Sequence, residues 1–174
     1  LLRENSDDEQ DIIYNDCCED VIQHYVIPKL EKEGTAEVSA TTVSTSKSIA
    51  KEKLFMNAIT DYAKAAGSNI KGRIVNDMAS NLSTEELGEF EHFYAAYENN
   101  VSKEIKGELQ YSYTVVRPIQ KDGRDMFEFQ AFYVVDEAAA TKARIRAFEN
   151  AARESAVAQR YAKQVSEFVR EGLE

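Results

Sequence analysis

Few residues in this chain have the types and spacings that catalysis needs. The imidazoles are His24 and His92, far apart in sequence. His92 lies in Glu89-Phe90-Glu91-His92, and no His-x-x-x-His spacing accompanies it. A metal site would need carboxylates from elsewhere, so both histidines are expected on or near the surface and no metal is expected. Ser48-Ile49-Ala50-Lys51 matches the bare Ser-x-x-Lys string of one acyl-transfer class, without that class's Ser-Asp-Asn and Lys-Thr-Gly companions. A helix start explains those residues instead. No Gly-x-Ser-x-Gly occurs. Gly67, Gly72, Gly88, Gly107 and Gly123 are scattered singly, whereas a phosphate loop needs several glycines ahead of a helix. The acidic runs Asp7-Asp8-Glu9 and Glu85-Glu86 lack the alternating ligands of a calcium loop and read as helix caps and solubilising charge. Cys17 and Cys18 are adjacent, about 100° apart on a helix, and form no Cys-x-x-Cys. No catalytic, cofactor-binding or metal residue is therefore expected.

The elements that carry these residues follow from periodicity. Residues 1–10 are polar, acidic and expected to fray. From Asp11 the pattern is helical, with Ile13, Cys17, Val21 and Tyr25 on one face beside Ile22, limited by Pro28 and stopped at Gly34. Residues 35–45 are small and β-branched, with Ala36, Val38 and Ala40 alternating, which predicts a short strand. Residues 46–67 form a helix with Ile49, Leu54, Met56, Ile59, Tyr62 and Ala66 on a broad apolar face, closed by Gly67. Ile70, Ile74 and Met78 continue that face after a kink. Residues 79–84 are a loop. Ser83-Thr84-Glu85-Glu86 is a capping box that starts a helix carrying Leu87, Phe90, Tyr94 and Tyr97 to about Asn99-Asn100. Val101–Lys106 is a candidate extended segment.

Residues 108–119 and 126–135 alternate and flank Asp122-Gly123, the signature of a β-hairpin. Leu109, Tyr111, Tyr113 and Val115 are expected on one face of the first strand. Phe127, Phe129, Ala131 and Tyr133 should share one face of the second, with Glu128, Gln130 and Phe132 opposite. Core burial of one face is expected; an apolar second face would need a helix, another chain or a ligand over it. From Asp136 to Gly172 there is no Pro or Gly, and helix formers dominate. One helix there would be about 50 Å long at 1.5 Å per residue. A domain of this size is about 30–40 Å across. Such a helix must break, wrap or project. Its stripe Ala151, Ser155, Ala158, Ala162, Val165 and Val169, thickened by Phe148, is a heptad seam. It predicts either packing within the chain or an interaction surface for self-association.

These elements predict an α+β fold: an antiparallel sheet with an aromatic hairpin packed against helices, ending in a long C-terminal helix. A chain of 174 residues suits a single domain, with residues 150–174 as the end of that helix. The net charge of −10 argues against nucleic acid, whose phosphates require cations, and against a basic membrane-binding patch. No run approaches the ~18 apolar residues of a membrane span. The sequence opens at Leu1 and is read as a trimmed fragment, so membrane attachment is expected only through an anchor upstream.

Ser46-Lys47-Ser48-Ile49-Ala50-Lys51-Glu52-Lys53, Asn57-Ala58-Ile59, Tyr113-Thr114-Val115-Val116 and Phe132-Tyr133-Val134-Val135 resemble, in order and type, a family of small bacterial surface lipoproteins that includes membrane- and flagellum-associated antigens. The resemblance covers about residues 38–140. It implies an exported, envelope-associated, non-enzymatic bacterial protein. The family's lipid-bearing cysteine stands at the mature N-terminus; Cys17 and Cys18 lie too deep in a helical pattern to match it. No site residues carry over. The expected function is thus binding or scaffolding with a protein partner or a second copy, in the cell envelope or periplasm. An enzyme with a pocket beside the hairpin, using His92 or a glutamate, and a cytoplasmic helical interaction protein are the alternatives.

Overall fold

A computed structural model of the chain describes residues 11–13 and 34–173. The order is β1 (Asp11–Ile13), β2 (Thr35–Ser44), α1 (Lys47–Asp77), α2 (Thr84–Ile105), β3 (Gln110–Lys121), β4 (Arg124–Asp136), α3 (Glu137–Ala152), α4 (Ala156–Arg160) and α5 (Ala162–Arg170). The fold is α+β. The described chain falls into two compact units: one holds the sheet and α1 as far as Ala58, the other holds residues 59–108 and 138–174.

The sheet unit has four strands in the order β1-β3-β4-β2. β2, β4 and β3 are antiparallel neighbours, and β1 adds a short parallel pairing at Thr114–Val116. The helix expected from Asp11 is corrected for Asp11–Ile13, which are a strand; Cys17, Cys18, Val21, Ile22, His24, Tyr25 and Pro28 lie outside the described residues. The hairpin closes as its turn residues require. Asp122 and Gly123 both take positive φ, 53° and 72°, between the last pair Lys121 and Arg124.

One face of β4 is core, as its alternation predicts: Phe129, Ala131, Tyr133 and Val135 are buried with Val38 and Ala40 of β2. Helix α1 covers this face, with Phe55 tilted against Tyr133 at 5.7 Å between ring centroids. The first hairpin strand departs from simple alternation. Tyr111 pairs with Tyr133, but the next pair is Tyr113 with Phe132, leaving Ser112 as an extra residue. Cross-strand partners share a face, so this bulge moves everything after it to the other side. Tyr113 therefore stacks on Phe132 at 4.4 Å on the outer face, while Thr114, opposite Ala131, takes the inner one and is buried. The expected common face of Leu109, Tyr111, Tyr113 and Val115 is corrected accordingly. Tyr113 is 5% exposed, and burial, reinforced by the nearby Glu37 charge, pushes its phenol up to about 12.

In the helical unit, α1 does not stop at Gly67. That glycine is buried in mid-helix, and a Cβ there would meet the Glu98 carboxylate at 3.2 Å, so the small residue serves close approach of α1 and α2. Ile70, Ile74 and Met78 are buried in line with it. The capping box forms as expected: the Ser83 amide donates to Glu86 Oε2 at 2.9 Å, and the Glu86 amide donates to Ser83 Oγ at 3.2 Å. Helix α2 runs past Asn100 to Ile105, correcting the extended reading of 101–106. The cause is continued four-residue spacing, since Tyr97, Val101 and Ile105 are all buried. Phe90, Phe93, Tyr94 and Tyr97 form a ladder of ring contacts with centroids 6.0–6.1 Å apart, and Phe148 meets Phe93 edge-on.

The long C-terminal helix is also corrected: it breaks twice, after Ala152 and at Tyr161. Side-chain caps make the first break. Ser155 Oγ accepts from the Ala158 amide at 3.2 Å and starts α4. The Gln159 amide group donates to the Ala152 and Arg153 carbonyls at 2.9 and 3.1 Å, taking up acceptors that the end of α3 leaves free.

Arg144 on α3 is 1% exposed inside this unit. Its guanidinium donates to Tyr62 Oη at 2.6 Å, Thr141 Oγ1 at 2.9 Å and the Val169 carbonyl at 3.4 Å, tying together α1, α3 and α5. Buried charge is tolerated when its donors are used in this way. Burial raises the Tyr97 hydroxyl's pKa, and Arg144 opposes that shift.

Candidate binding cleft

The break after α3 leaves a depression beside α2. It has a volume of about 460 Å³ and is lined by Glu89, His92, Phe93, Ala96, Ala151, Glu154, Ser155 and Ala156. Each side chain is there for a local reason. Glu89, His92, Phe93 and Ala96 recur at three- and four-residue steps on α2 and so share a side. Ala151 ends the packed stripe of α3. Glu154 lies in the turn, and Ser155 is held by its capping bond. The floor is apolar and nearly closed, since Phe93 and Ala151 are buried. The rim is ionisable and exposed: Glu89, His92 and Glu154 all face solvent.

The chemistry open to this rim is limited by how it is held. A general base must be oriented by a partner and placed against a reacting group. Among the described residues no side-chain hydrogen bond or ion pair joins His92 to Glu89 or Glu154, or restrains any of these three side chains. Other glutamates of this unit are engaged by cations of the same chain: Glu86 by Arg160 at 2.5 Å, Glu91 by Lys71 at 2.8 Å, Glu104 by Arg146 at 2.6 Å, and Glu171 by Arg73. Among the described residues no group of three or more His, Cys, Asp or Glu is placed to hold a metal ion, and no helix is long and apolar enough to cross a membrane.

The heptad seam is distributed differently from a free surface. Phe148, Ala151, Ala158, Val165 and Val169 are buried within the single chain, while Ser155 and Ala162 are half-buried. The seam also bends, because its members belong to three helices instead of one. The chain's own packing buries five of these seven positions. His92 and Ser155 both line the cleft, a juxtaposition that sequence reasoning missed. Glu89 and Glu154 were missed as well. The available signal was Ser155 followed by Gln159, a cap and a carbonyl-binding amide inside an apparently unbroken helix. The chain matches no protein-family model, no curated protein and no solved structure.

Proposed function

We propose that this is a non-catalytic binding or scaffold protein of a bacterial cell envelope. The observation that carries the reading is the cleft itself: its ionisable side chains stand exposed and unlinked on the rim of an alanine-lined floor, an arrangement suited to contact with a ligand or partner. Envelope association is supported by the resemblance spanning residues 38–140. A panel of chromogenic esters, phosphomonoesters and glycosides tests the first part. The reading expects no turnover above buffer and no difference between the wild type and His92→Ala. Turnover by the wild type that His92→Ala abolishes would contradict it. Fractionation of the source cells tests the second part. The protein is expected with the envelope fraction, and recovery wholly from cytosol would contradict that.

A further inference from the structure

β2 runs for ten residues with β4 as its neighbour on one side, and among the described residues no strand pairs with its other side. Two contacts establish which of its main-chain groups point outward. The Glu137 amide donates to the Gly34 carbonyl at 2.8 Å, extending the ladder one pair beyond Thr35 and Asp136. Alternation then turns Ala36, Val38 and Ala40 toward β4, and turns Thr35, Glu37, Ser39, Thr41 and Val43 away from it. The Asn57 side-chain amide on α1 donates to the Thr41 carbonyl at 3.4 Å, which agrees with that assignment. Glu37, Ser39 and Thr41 are exposed.

An open edge recruits further strands unless it is guarded by proline, cations, bulges or short length. The opposite side of the sheet has all four guards. β1 is three residues long, β3 carries the Ser112 bulge, and beyond β1 come Arg117, Pro118 and Lys121. The two-residue turn makes Lys121 and Arg124 a hydrogen-bonded pair, so Pro118 turns its missing N–H away from β4, toward the open side. β2 has none of these guards. It has no proline and no cation, its register with β4 is unbroken, and its single charge is Glu37.

We propose that β2 pairs antiparallel with β2 of a second copy of this chain, about a twofold axis at Ser39, joining two sheets edge to edge. Charge and length select that axis. Centred on Ser39, all five outward residues find partners: Glu37 faces the second copy's Thr41, and Thr35 faces its Val43. Centred on Glu37, two carboxylates would oppose each other, which is unfavourable, and the overlap would be shorter. The main-chain amide of the second copy's Glu37 would share or replace the Asn57 bond at Thr41. This surface belongs to the sheet unit and stands independently of the cleft.

Light scattering over a concentration series on the full chain tests the pairing, with Ser39→Lys and Thr41→Lys as variants and circular dichroism as the check on folding. The wild type is expected to rise toward twice the monomer mass. Ser39→Lys places two ammonium groups face to face across the axis and is expected to weaken association roughly fivefold or more. Thr41→Lys places an ammonium opposite Glu37, twice per dimer, and is expected to tighten it severalfold. A wild type that stays monomeric throughout overturns the proposal. So do two folded lysine variants that shift association in the same direction.

Discussion

The helical unit and the sheet unit satisfy their polar and apolar groups by different means. In the helical unit the aromatic ladder of α2 meets Phe148 of α3 and Tyr161, Arg144 spends its donors on Tyr62, Thr141 and Val169, and the break between α3 and α4 is capped by Ser155 and Gln159. In the sheet unit α1 covers one face, and one edge retains a row of outward amides and carbonyls along β2. The contrast teaches where contact with another molecule costs least. A partner on the helical unit must work through the cleft rim, whereas a partner on β2 meets hydrogen-bonding groups already held in strand geometry.

The largest effects should come from the two cores. Phe93→Ala removes a ring that is 1% exposed and touches Phe90, Tyr94, Tyr97 and Phe148, and should cost about 3–5 kcal/mol in urea denaturation. Phe129→Ala should cost about as much in the sheet unit, where that ring is 4% exposed on the inner face. A cost below ~1 kcal/mol would mean that the face assignments of β4 are reversed. A smaller loss, about 1 kcal/mol, is expected for Ser83→Ala, which deletes the N-cap of α2 but touches no core.

The smallest effect is electrostatic and confined to the helical unit. The Ser83 amide, donating to the Glu86 carboxylate, together with the Ser83 hydroxyl and Arg160, holds the Glu86 pKa below the usual carboxylate value against the opposing effect of desolvation. Its folded pKa is thus lower than its unfolded one. The associated stability is present above the unfolded value and fades as pH falls through the folded one. Glu86→Gln should therefore flatten the acid limb of a melting-temperature profile while leaving β2 association unchanged.

Much of this architecture was legible in the sequence because local signals dominate it. Asp122-Gly123 demanded a turn, Ser83 and Glu86 formed their box, and Phe129 to Val135 alternated without interruption. What was hidden depended on tertiary geometry. Gly67 reads as a stop unless one knows that Glu98 passes within 3.2 Å of where its Cβ would be. Ser112 reads as an ordinary outward residue, yet as a bulge it carries Tyr113 to the other face. The C-terminal segment reads as one helix by propensity, and its first break comes with Ser155 and Gln159 bonding main-chain groups in place of solvent. The cleft was illegible for the same reason, since it exists only where that helix breaks. The open edge was half legible: the residues of β2 were clear, but which strand would lie beside them was not.

Cross-linking across the proposed axis tests the edge assignment most directly. In a Cys17→Ser, Cys18→Ser background, Ser39→Cys would place two thiols on a hydrogen-bonded pair with Cα atoms about 5.5 Å apart, within disulfide reach. Glu37→Cys would leave its two copies four residues out of register, roughly 13 Å apart at ~3.3 Å per residue. Mild oxidation should give covalent dimers at position 39 and monomers at position 37. Equal cross-linking at both positions, or none at 39, would contradict the account.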